Sequence, residues 1–260
     1  MNLTYGLPPS DLGAPAPAPT PASLPGRANS PRLRHPDLEA VLRQCGPIPR
    51  GAALLGVALD GLPVLLNLRD PAPGPLLVVG DRGSGKRRLL QVMARSADLV
   101  QPVGEVTYVV LTDRPGEWEA LAQSPNCEGV LPFHHPLTAR YISSLAAAVR
   151  QGSGHQGFLM VIVDGLETLS GDSETRYDMR WFLENGPRHS VWPVVSLTTS
   201  RAPALADWIK LFDTVLCGRS SAPLPIADGR QPPFSGAGRR AEFALLSGNR
   251  WLPFWVPEPL

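Results

Sequence analysis

Residues 78–90 read VVGDRGSGKRRLL, an apolar run, a glycine-rich turn and a helix-forming segment in immediate succession. The turn fits GxxxxGK through Gly80, Gly85 and Lys86, with Gly83 as an extra glycine. Glycines let the backbone wrap a phosphate so that successive N–H groups and the following helix N-terminus point at it. Lysine occurs only at Lys86 and Lys210 among 24 basic residues, so its place at the end of this loop carries weight. Its compact ammonium on a flexible stem reaches phosphate oxygens in a way the planar arginine fork does not. The candidate phosphate-binding set is therefore Gly80, Asp81, Gly83, Ser84, Gly85, Lys86 and Arg87.

Arg87 is the anomaly. A Ser or Thr normally follows the lysine, and its hydroxyl ligates Mg²⁺. A guanidinium has no lone pair for a metal. Two outcomes follow from the sequence: Arg87 swings into solvent and water replaces the hydroxyl, or it neutralises phosphate charge itself and lessens the need for Mg²⁺. Either one compromises metal-assisted hydrolysis.

Working outward, RRLLQVMARSADLV places Leu89, Leu90, Met93 and Ala97 on one helical face. Upstream, LLGVALDGLPVLLNL has two apolar runs around Asp60-Gly61, which predicts a hairpin with a type I′ turn. A short helix is expected over residues 37–44, ending at Gly46-Pro47. Downstream strands are expected at EVTYVVL (105–111), FLMVIVDG (158–165), VWPVVSLTT (191–199) and DTVLCG (213–218). Between them, WEALAQ, PLTARYISSLAAAVRQ, ETRYDMRWFLEN and PALADWIKLF read as helices. AEFALL and NRWLPFWV read as a closing hairpin or edge pair. Continuous apolar strands alternating with helices predict an α/β fold, a mostly parallel sheet with helices on both faces, over residues 36–260. Residues 1–35 contain LPPSDLGAPAPAPTPASLPG, a Pro/Ala-rich tail expected to be disordered and extended.

FLMVIVDG ends in Asp164, the aspartate at the carboxyl end of an apolar strand that holds Mg²⁺ in many phosphate-loop proteins. The following position often holds a glutamate that activates water; here it is Gly165. Glu167 lies two residues further on and reads as an exposed loop residue unless a turn returns it.

Composition limits the function classes. A net charge of +1 gives no global attraction to nucleic acid or anionic membrane. Arg32, Arg34, Arg239 and Arg240 are too sparse to form a phosphate-contacting stripe. Cys45, Cys127 and Cys217 lack metal or disulfide spacing. That cysteine pattern fits a reducing cytoplasm best, and no membrane-spanning segment is legible.

From about Leu54 to Val256 the order of motifs resembles the FtsK/HerA class of DNA- and protein-pumping ATPases. LLGVALDGLPVLLNL resembles the family's hairpin before the phosphate loop, and EVTYVVLTDRPGEWEAL its strand ending in an acidic-Pro turn. VIVDGLETL resembles its metal-holding strand, with Asp164-Gly165 where the family has Asp-Glu. PRHSVWPVVSLTTSRAP resembles its Gln-Arg-Pro sensor stretch, with Ser200, Arg201 and Ala202 in those places. The resemblance implies a RecA-like P-loop NTPase fold, ATP and Mg²⁺ as cofactors, and a homo- or hetero-oligomeric ring with a neighbour's arginine completing the site. Arg188 is the first candidate for that role and Arg201 the second, with Asp164 as catalytic and metal-holding residue. Arg87, Gly165 and Ser200 each remove a group needed for hydrolysis. Loss of a positioned base alone costs about 10²–10⁴-fold in rate. The sequence therefore predicts an ATP-binding domain with weak or absent hydrolysis; the alternative is an active DNA-translocating subunit of a ring.

Overall fold

Ten strands among the described residues form a single sheet in the order β2-β1-β10-β9-β8-β3-β7-β6-β4-β5. The computed structural model describes residues 35–152, 155–168, 173–222, 241–247 and 250–259. The chain divides into two units, Met1–Arg34 and His35–Leu260, and only the second is described below. The Pro/Ala-rich tail up to residue 34, with Arg32 and Arg34, and the pair Arg239-Arg240 lie outside the described residues.

The elements run α1 (Leu38–Cys45), β1 (Ala52–Ala58), β2 (Pro63–Asn67), β3 (Leu76–Gly80), α2 (Lys86–Val100), β4 (Val106–Thr112), α3 (Glu119–Ala122) and β5 (Cys127–Pro132). They continue with α4 (Pro136–Arg150), β6 (Phe158–Asp164), α5 (Ser173–Asn185), β7 (Val191–Thr198), α6 (Ala206–Ile209), β8 (Thr214–Gly218), β9 (Phe243–Ser247) and β10 (Arg250–Trp255). Six strands, from β8 to β5 in the sheet order, are mutually parallel. The other four form two antiparallel hairpins joined where β1 meets β10. β9 then links them to β8.

Successive side chains of a strand face opposite sides, and the central strands are apolar on both. Leu76 and Val78 of β3 pack into one core with Leu89, Leu90 and Met93 of α2 and Leu38 and Val41 of α1. Leu77 and Val79 pack into a second core with Ile142 of α4, Met179 and Phe182 of α5 and Trp208 of α6. Helices thus cover both faces, which is why β3, β4 and β6 carry uninterrupted apolar runs. Pro193 interrupts β7 only ahead of Val194, where pairing with Leu76 of β3 begins.

Three expectations are corrected. The loop between β1 and β2 is not a type I′ turn: only Gly61 has positive φ (89°). Gly61 N–H bonds Ala58 O at 3.0 Å and Ala58 N–H bonds Leu62 O at 2.8 Å, giving a three-residue loop with its glycine in the left-handed region. WEALAQ is helical over Glu119–Ala122, after a 3₁₀ turn at Pro115–Trp118, but PALADWIKLF is α-helical only over Ala206–Ile209, its first residues belonging to the 3₁₀ turn Thr199–Leu205. Strand β5, CEGVLP, was not expected at all, because as an edge strand it is only half buried and carries Glu128, Gly129 and Pro132 in place of an apolar run.

Candidate functional site: a phosphate loop closed by an arginine

The carboxyl ends of the parallel strands converge. Gly80 pairs with Thr198, Asp164 with Ser196 and Thr112 with Asp164, so the ends of β3, β7, β6 and β4 lie side by side. Ligands of open α/β sheets bind at this edge. A cleft of about 1010 Å³ lies here, lined by the loop residues Arg82, Gly83 and Gly85 and by Lys86, Arg87, Asp164, Glu167, Ser200 and Arg201 among others.

The loop is built as the glycines dictate. Gly83 and Gly85 have φ of 77° and 90°, which disfavours a side chain at either position. The first bond of α2 runs from Leu89 N–H to Gly85 O at 3.0 Å, leaving the N–H groups of Lys86, Arg87 and Arg88 without an intrahelical partner. Lys86 Nζ reaches back across the loop to Gly80 O (2.8 Å) and Asp81 O (2.9 Å). Burial lowers its pKa from the ordinary lysine value, and the carboxylates of Glu167, Asp164 and Asp81 oppose that shift. Ser84 Oγ is buried without a partner among the described residues, and a Cβ on Gly80 would stand 2.5 Å from it. Free helix N–H groups, an orphan hydroxyl and an ammonium bonded only to loop carbonyls suit a polyphosphate. Asp81 faces elsewhere: its Oδ2 accepts from Ser221 N–H at 2.7 Å, a bond that holds its pKa below the usual carboxylate range.

Arg87 takes neither route expected of it. Its Nε donates to Asp164 Oδ2 at 2.6 Å, and its Nη1 donates to Glu117 in the turn after β4. Burial opposes its charge, but the hydrogen bonds and charges of Asp164 and Glu117 prevail and raise its pKa. Asp164 Oδ2 is crowded, since it also accepts from Thr112 Oγ1 (3.2 Å) and Trp118 Nε1 (3.3 Å), while Oδ1 accepts from Ser196 Oγ (3.4 Å). The carboxylate expected to hold a metal holds a guanidinium. Among the described residues no cluster of three acidic, histidine or cysteine side chains is placed to take a metal ion. With a guanidinium on Asp164 where the hydroxyl and ion would stand, the residues present do not fit Mg²⁺ in its usual seat.

Glu167 also departs from expectation. It is half buried and lines the cleft. Gly165, at φ 109°, bends the chain into the turn Leu166–Thr168, and Glu167 Oε2 accepts from Thr198 N–H at 3.3 Å. A glutamate at position 165 would be strained in that backbone conformation. Arg201 and Arg82 are exposed at the cleft with no ion pair among the described residues. Arg188 is exposed in the turn Gly186–His189, before the amino end of β7 and outside the cleft. The partners of the Arg87 pair, Glu117, Thr112, Trp118 and Ser196, were missed from sequence. The available signal was Arg87 itself, since an arginine held against a helix face needs a carboxylate and the acidic-Pro turn supplies one.

The sheet, the left-handed glycines and the lysine at the helix start define a RecA-like P-loop ATPase fold. The structure is similar to ATPases 2 and 3 of EccC from Thermomonospora curvata, solved in complex with a signal sequence peptide (14% identity, TM-score 0.63, 86% of this chain and 43% of that one). It is also similar to ATPases 2 and 3 of EssC from Geobacillus thermodenitrificans (13%, 0.64, 92% and 48%) and to a protein described as an ATPase (15%, 0.64, 86% and 95%). The chain spans less than half the length of the EccC and EssC chains. No protein-family model and no curated protein sequence matches it. At these identities the likeness is one of fold. No helix among the described residues is long and apolar enough to cross a membrane.

Proposed function

We propose that the chain is a nucleotide-binding P-loop domain that holds ATP and hydrolyses it weakly or not at all. The observation that carries this reading is the split fate of the loop. Gly83, Gly85 and Lys86 keep a phosphate cradle, while Arg87 occupies Asp164 through a 2.6 Å bond. Binding and chemistry need different groups, and only those for binding are free.

A second reading, an active ATPase subunit of a ring, is favoured by one observation: Glu167 returns to the cleft, at the strand end where a water-orienting carboxylate would act. In that reading Arg188 serves a neighbouring subunit, since within its own chain it lies outside the cleft, and Arg201 acts in cis. The polymer moved would be DNA or, by analogy with the EccC complex, a protein segment. A cytoplasmic setting suits both readings.

Equilibrium binding of a fluorescent ATP analogue, paired with phosphate release from ATP, separates the two. Saturable binding with release at the uncatalysed rate, unchanged by added DNA, is expected. Steady turnover that is lost in Glu167→Gln would replace the first reading with the second.

A further inference from the structure

In the usual P-loop site a divalent cation sits between a hydroxyl after the lysine and the strand-end aspartate. Here the Arg87 guanidinium fills that interval, bonded to Asp164 at 2.6 Å and to Glu117 on its other side. We propose that the cleft selects its nucleotide as the metal-free polyphosphate, with Arg87 serving as the resident cation. This deepens the nucleotide-binding reading above and rests on it.

The donor set supports the proposal first. A carboxylate offers about four lone-pair sites, and Asp164 accepts from Arg87, Thr112, Trp118 and Ser196. Three of these donors crowd Oδ2, so an ion there would have to displace Arg87, and an ion at Oδ1 would sit beside its positive charge. The hydroxyl that would complete its coordination is replaced by that charge.

The charge balance of the cleft points the same way. Lys86 is bonded only to loop carbonyls, and Arg82 and Arg201 face the cleft without an ion pair among the described residues. Together with the N-terminus of the 15-residue helix α2, they neutralise phosphate oxygens directly. A divalent ion on the nucleotide cancels the negative charge these groups would otherwise meet. Metal and protein thus compete for the same oxygens. Binding shifts the nucleotide equilibrium toward the form the cleft holds better, and that form is the uncomplexed nucleotide.

Calorimetric titration of the full chain with ATP, in EDTA and in millimolar MgCl₂ at low ionic strength, tests this directly. The expected result is an apparent Kd weakened about tenfold by the metal, a difference near 1.4 kcal/mol. Arg87→Lys, which keeps the charge, is expected to preserve that order. Arg87→Thr, which restores the hydroxyl and frees Asp164, is expected to reverse it. Native binding as tight or tighter with Mg²⁺ overturns the proposal while leaving nucleotide binding intact, as does an Arg87→Thr variant with the native metal response. Absence of binding in both buffers removes the nucleotide-binding reading itself.

Discussion

Asp164→Ala lowers the unfolding free energy by about 3 kcal/mol, yet leaves ATP affinity unchanged or improved. The first half follows from burial. The Asp164 side chain is 6% exposed and that of Arg87 25%, and removing one partner of a buried ion pair costs roughly 3–5 kcal/mol because the other charge is left without compensation. Glu117 remains beside Arg87 and Arg87 is partly solvated, which places the expectation at the lower end. The indole N–H of Trp118 and the hydroxyls of Thr112 and Ser196 lose an acceptor at the same time. Asp164→Asn keeps the shape and one acceptor, so its loss should be smaller. The second half follows from release: a guanidinium freed from Asp164 can turn to the phosphates. Urea unfolding beside ATP titration reads both. A midpoint indistinguishable from native would show that Arg87 is not held by Asp164. Lost affinity would assign Asp164 to the bound nucleotide.

Lys86→Ala weakens ATP binding by about 10–150-fold, the equivalent of the 1.5–3 kcal/mol that hydrogen bonds to a charged group contribute. The ammonium is the one cation of the loop whose stem starts at the helix N-terminus and whose present partners, Gly80 O and Asp81 O, are neutral carbonyls. It can leave them for phosphate without breaking an ion pair. Lys86→Arg should recover little, since a rigid fork cannot follow the turn of the loop. The fold is expected to persist in both variants, because Leu89, Leu90 and Met93 anchor α2 independently of the lysine. Circular dichroism checks that, and affinity within threefold of native would place the phosphates outside the loop.

The parts of this molecule that were legible in the sequence are those fixed by local chemistry. β3, the glycine loop and α2 follow from apolar runs, positive-φ glycines and a 3.6-residue period, all of which act over a few residues. The flat two-sided burial of β4, β6 and β7 likewise wrote itself into continuous apolar stretches. β5 was hidden because an edge strand needs no such run, and Gly129 and Pro132 argue locally against one. The helix after β7 is shorter than PALADWIKLF suggests because apolar spacing gives no warning of 3₁₀ geometry, although Pro203 lies within that turn.

The site divides in the same way. That Arg87 could not ligate a metal was readable from its chemistry. Where it would go was not, since its partners, Asp164 at the end of β6 and Glu117 in the turn after β4, lie 77 and 30 positions away in the chain. Glu167 reads as an exposed loop residue in the sequence because nothing in VDGLETL announces that Gly165 adopts φ 109° and turns the chain back. Both features depend on tertiary closure of the sheet edge.

The most direct test is a crystal structure of the chain grown with ATP and excess Mn²⁺, with anomalous scattering recorded at the manganese edge. The expected map shows triphosphate against Lys86 and the amino end of α2, Arg87 still bonded to Asp164, and no anomalous peak between them. A manganese peak ligated near Asp164, with Arg87 displaced from it, would contradict the assignment of Arg87 as the cation of this site.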